Sequence, residues 1–134
     1  MIDAQAIAAV DMFADLELEQ LERLAAIASE VKRDKGNILF QTGDPADGLY
    51  ALASGRMKIF RSSPGGKEKI LHVIGPGTVF AEAAVFSGKV FPADAQAMED
   101  SVLLFFPRER MRDLMGQDPE LAMAMMGLLS RRLR

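Results

Sequence analysis

Residues 78–86 read Thr-Val-Phe-Ala-Glu-Ala-Ala-Val-Phe, and Phe91-Pro92-Ala93-Asp94-Ala95 follows shortly after. A strand end at Val79 and Phe80 running into a short helical turn leaves the first backbone N–H groups of that turn unpaired, an arrangement suited to anions. Glu82 sits in the turn, where its carboxylate can accept from a ligand hydroxyl, although the helix dipole favours an acid there with or without a ligand. Over residues 81–99, Lys89 is the one cation against Glu82, Asp94 and Glu99. An anionic guest at Phe80, Ala81, Glu82, Ala83, Phe91, Pro92, Ala93 and Asp94 is therefore expected to be poorly neutralised unless Lys89 supplies the charge. The short side chain of Ala81 would also slightly obstruct close approach to the backbone.

Other chemistries lack their parts. The 134 residues contain no cysteine and one histidine, His72, which removes disulfides, thiolate zinc sites and cysteine-held iron–sulfur clusters. A triad or multi-histidine metal site would have to share that one imidazole, so no enzyme is expected; a metal-dependent jelly-roll enzyme is the rival reading that the histidine count disfavours. His72 alternates with Ile70 and Ile74, which points to a packed, hydrogen-bonded side chain more than to a metal ligand. The net charge of −3 gives no field to draw the chain onto nucleic acid. With no basic leader at the N-terminus and no membrane-length apolar run, a cytoplasmic location is expected.

The elements that must hold the turn follow from periodicity. Over residues 16–28, Leu18, Leu21, Leu24, Ala25, Ile27 and Ala28 recur at helical spacing with charged residues between them. Short runs bounded by glycine or proline then occupy 37–41, 49–54, 57–61, 69–74, 93–98 and 102–106, with turns every eight to twelve residues, as in an antiparallel sandwich or jelly roll. Gly65-Gly66 is a hairpin turn, not a phosphate loop. Residues 108–115 predict one or two helical turns stopped by Gly116. Asp118-Pro119-Glu120 supplies an N-cap, a first-position proline and a first-turn acid for a last helix. Residues 121–129 carry no polar side chain, so that helix needs cover on two sides, one of them a partner helix. Met123, Met125 and Met126 read as adaptable core and interface filler. Arg131, Arg132 and Arg134 suit the negative end of the helix dipole.

Several blocks in register resemble the sensor domain of the Crp/Fnr regulator family: residues 35–44, Gly48-Leu49-Tyr50, residues 54–60, residues 66–71, and Asp118-Pro119 with residues 129–133. The resemblance implies a mainly β fold with flanking helices, an antiparallel β-roll of the cyclic nucleotide-binding type over residues 1–117, and the start of a dimerisation helix over 118–134. Leu121, Met125, Leu128 and Arg132 are its expected homodimer contacts. In that family the glutamate of the phosphate-binding cassette accepts from a ribose hydroxyl, and an arginine before a small-residue pair holds the phosphate; here that position falls on Phe91 or Pro92. Residues 80–83 look more like the denitrification branch, which responds to nitric oxide and is thought to hold haem, for which His72 is the candidate ligand. The expectation is an effector-sensing regulatory domain with a degenerate phosphate site, its DNA-reading helix-turn-helix lying outside this sequence. A cyclic nucleotide held by Lys89 or backbone amides, a haem sensor, and an unliganded interaction module whose pocket is filled by Phe86 and Phe91 are the alternatives. Effector identity and direction of regulation stay open.

Overall fold

The structure, a computed structural model, describes residues 2–132, with side chains to residue 131. At the N-terminus, Asp3 caps α1 (Ala4–Ala8) by accepting from the Ala6 N–H at 2.9 Å, and a 3-10 turn, Asp11–Phe13, follows. The amphipathic stretch becomes α2 (Leu18–Ile27), which buries Leu21, Leu24 and Ala25. Its start is fixed by the Glu17 N–H donating to Gln20 Oε1 at 3.1 Å.

Eight strands come next: β1 (Ser29–Arg33), β2 (Ile38–Phe40), β3 (Gly48–Ser54), β4 (Met57–Ser62), β5 (Glu68–Ile74), β6 (Val79–Phe80), β7 (Asp94–Ala97) and β8 (Ser101–Pro107). They form two four-stranded antiparallel sheets with orders β1-β8-β3-β6 and β2-β7-β4-β5. The core lies between them and under the helices, built on Leu49, Ala51, Leu52, Met57, Leu103, Leu104 and Phe106. Gly55 carries the tight turn between β3 and β4 with φ +97°, and a Cβ there would lie 2.6 Å from the Asp100 carbonyl. Beside it the buried Ser101 hydroxyl donates to the Glu99 carbonyl at 2.8 Å and accepts from the Arg56 N–H at 3.2 Å.

Three elements differ from expectation. Strand β1 escaped the periodicity because Ser29-Glu30-Val31-Lys32-Arg33 offers one apolar residue; it lies at a sheet edge and is held by pairing with β8. The short helix before Gly116 is the ten-residue α4 (Arg108–Gln117), which runs through that glycine. Burial of Met111 and Leu114 outweighs the roughly 1 kcal/mol helical cost of glycine. The last helix, α5 (Pro119–Arg132), is capped as expected, with Asp118 Oδ1 accepting from the Leu121 N–H at 3.1 Å. Asp118 Oδ2 also pairs with Arg23 Nη1 at 2.7 Å.

The third correction concerns the faces of α5. Leu121, Met125 and Leu128, assigned above to a homodimer contact, are 0%, 0% and 9% exposed within this chain's own core, where α5 meets the 3-10 turn and α4. Residues spaced i, i+4, i+7 form one stripe, and this chain uses that stripe internally. Met123 and Met126, 64% and 54% exposed, stand on another face. The side chain of Arg132, the fourth predicted contact, lies outside the described residues, as does Arg134.

Candidate functional site

A cleft of about 350 Å³ opens between the end of β6, the helix α3 (Glu82–Ser87) and one face of the β4–β5 hairpin. Its floor is aromatic. Phe40 stacks on Phe91 with ring centroids 3.8 Å apart, and Phe80 lies 6.4 Å from Phe40. Behind them Tyr50 stacks on Phe80 at 5.8 Å, and its hydroxyl pKa is pushed up to about 12, chiefly by burial and secondarily by the Asp47 carboxylate, with Arg33 opposing. Such a floor offers flat apolar area with fixed ring geometry.

One wall is the cassette. Ala81 takes the left-handed conformation, φ 69° and ψ 8°, which only glycine adopts without steric cost, and it turns the chain from β6 into α3. Glu82, Ala83 and Ala84 then line the cleft. At the other end of α3, Gly88 is also left-handed, and Arg108 of α4 donates from Nε to the Val85 carbonyl at 2.9 Å. A Cβ on Gly88 would lie 2.9 Å from Arg108 Nη2, so the glycine makes room for this bond.

The facing wall comes from strands far away in sequence. Ile59 and Arg61, two residues apart on β4, share a face, and Leu71, His72 and Ile74 come from β5. A bulge sets this up: Ile59 pairs with His72 but Phe60 pairs with Ile70, so Leu71 is an extra residue and the two-residue alternation breaks. His72 therefore keeps a face with Ile74, both lining the cleft, but not with Ile70, and the expectation of a packed histidine is corrected. His72 is exposed, on a strand at the sheet edge. Arg61 donates from Nε to the Pro92 carbonyl at 2.9 Å, which ties β4 to the rim formed by Pro92 and Ala93.

Phe80, Ala81, Glu82, Ala83, Phe91, Pro92, Ala93 and His72 therefore meet around one cleft, whereas Lys89 and Asp94 do not line it. Asp94 is occupied elsewhere, Oδ1 accepting from the Thr42 N–H at 2.6 Å and the Thr42 hydroxyl at 2.9 Å. Lys89 is exposed, and its backbone joins the loop to Ala84 and Ala46. The expected charge balance is thereby changed: the lining holds one carboxylate, Glu82, and one guanidinium, Arg61, which sequence reasoning missed. Phe91 is buried in the floor, but Phe86 is 40% exposed and lines a separate groove between α3 and α4. The site does not favour haem, since the one imidazole is exposed on an edge strand and Phe40 and Phe91 already close the floor. Among the described residues no cluster of three or more acidic or histidine side chains could hold a metal ion, and no helix is long and apolar enough to cross a membrane.

Residues 30–118 match the family model of the cyclic nucleotide-binding domain. Over 96% of its length the chain is 28% identical to a CRP-like cAMP-activated global transcriptional regulator of Mycobacterium tuberculosis, of which it covers 57%. It is 38% identical to the cyclic AMP receptor protein of Thermus thermophilus over 75% of this chain and 46% of that one. The chain thus spans about half the length of these curated relatives. Among solved structures, the sensor domain of the transcriptional regulator DNR from Pseudomonas aeruginosa superposes with a TM-score of 0.82 at 37% identity, covering 96% of this chain and 87% of that one. That likeness supports the branch to which residues 80–83 point. By sequence, by the two-sheet roll and by the cassette turn at Ala81, the chain belongs to the cyclic nucleotide-binding domain family, in the form found in Crp/Fnr regulators.

Proposed function

We propose that this chain is the effector-sensing, non-catalytic part of a Crp/Fnr-type transcription regulator, and that a guest in the cleft biases the placement of α4 and α5. The observation that carries this reading is the bond from Arg108 to the Val85 carbonyl, which joins the helix lining the cleft to α4 and, through α4, to α5. A ligand shifts an equilibrium only by its differential affinity for the two placements, so contacts to α3 are what such a ligand must change. The named relatives are regulators, two of them tied to cAMP by name, and in the whole protein α5 would lead toward a DNA-reading domain outside this chain. Homodimerisation uses the face of α5 that bears Met123 and Met126, because the Leu121 stripe is taken. A soluble cytoplasmic setting follows from that role.

Amide hydrogen exchange tests the coupling. With saturating 1-anilinonaphthalene-8-sulfonate as a surrogate aromatic guest, exchange is expected to slow in α3 and to change at least about fivefold in α4 and α5, the lower end of typical allosteric coupling. A change confined to α3 sinks the coupling, and an unchanged α3 sinks the cleft as a ligand site. Melting curves with cAMP and cGMP run beside it, since a ligand at a hundred times its Kd adds about 2.7 kcal/mol, or several degrees. Such a rise names a cyclic nucleotide as the effector.

A further inference from the structure

We propose that Arg61, a strand residue outside the cassette, is the anion-recognising group of the cleft and selects a monoanionic guest with a flat apolar body. The inference deepens the reading of the cleft as an effector site and depends on it. The cassette position that an arginine would fill is Phe91 or Pro92, and Arg61 is hydrogen-bonded to the carbonyl of Pro92 itself. Using Nε for that bond orients the guanidinium and leaves the two terminal nitrogens of the planar fork for a carboxylate, sulfonate or phosphodiester. Arg61 takes part in none of the ion pairs among the described residues, so its charge is not already matched by a neighbouring acid. Lys69 is its cross-strand partner on β5 and adds to the positive field at this corner.

The rest of the lining fixes the remainder of the guest. Phe40, Phe80 and Ile59 offer apolar surface, and about 350 Å³ admits a small organic molecule and little more. Glu82 on the opposite wall opposes a second negative charge, which disfavours a phosphate monoester and leaves a monoanion. A phosphodiester and an aromatic carboxylate share this chemistry, and the two are separated by which of them binds.

Fluorescence titration with 1-anilinonaphthalene-8-sulfonate, a monoanion, and N-phenyl-1-naphthylamine, its uncharged counterpart, reads the charge requirement directly. Arg61→Gln is expected to weaken the sulfonate about tenfold, the value of one charge-assisted hydrogen bond, and the neutral dye by less than about twofold. Lys89→Gln should leave both unchanged. Equal loss of both dyes in Arg61→Gln, an unchanged sulfonate, or a larger effect of Lys89→Gln overturns the assignment. Ala83→Trp, placed in the cleft wall, separates this failure from that of the site: if it displaces neither dye, the dyes bind elsewhere and the cleft reading falls with it. The same titration with cAMP and with indole-3-acetate as competitors distinguishes the two sources of the anion, and a competitor that binds Arg61→Gln as tightly as the native chain also counts against the role of Arg61.

Discussion

On one side of the cleft, residues 80–84 follow one another along a strand end and a helix; on the other, Ile59, Arg61, Leu71 and His72 meet only because β4 and β5 pair around a bulge. The first wall is local, and its shape is set by a left-handed residue and a helix start. The second depends on which residue of β5 is extra, a choice made by the whole sheet. A ligand site written across a pairing register is therefore open to change by single substitutions that leave the cassette untouched.

Phe91→Ala separates floor from walls most strongly. It removes a ring 1% exposed and stacked on Phe40, so a loss of about 3 to 5 kcal/mol in denaturant unfolding is expected. A loss under about 1 kcal/mol would show that the floor repacks and is not shared by the two walls. Ala81→Gly acts on the local wall alone. Relief of the left-handed strain, partly offset by the greater chain entropy of glycine, should stabilise the fold by about 0.5 to 1 kcal/mol. Destabilisation there would mean that the methyl group packs against something worth more than the strain. The smallest effect is expected on the strand wall, where His72→Ala should change stability by less than about 0.5 kcal/mol because the side chain is exposed. A larger loss would make His72 part of the core after all.

What the sequence made legible follows the same division. Glycine and proline punctuation marked six of the eight strands, and β6 was read directly as the strand end before Glu82, because those turns are decided locally. Strand β1 was hidden because a polar edge strand owes its conformation to its neighbour β8. The continuous apolar run of α5 stated that the helix is buried without stating by what, since a helix hydrophobic on every face has no stripe from which to choose. Lys89 and Asp94 stood near Glu82 in sequence and away from the cleft in space, for the loop carries one outward and Thr42 takes the other. Arg61 drew no attention as the last residue of the run 57–61; the carbonyl that fixes it belongs to Pro92, thirty-one residues on.

Placing part of the ligand wall on β5 has a cost in association behaviour. Among the described residues one backbone edge of that strand has no strand beside it, and Ile70, Leu71 and Val73 are exposed along it, the combination that invites another chain to add itself as a further strand. The lysines Lys67 and Lys69 flank Glu68, which is tied back to Lys58, so the approach to that edge is guarded by charge. Colloidal behaviour and ligand selectivity thus share one corner of the molecule, and changes made there to retune the guest also alter how the chain tolerates crowding by its own copies.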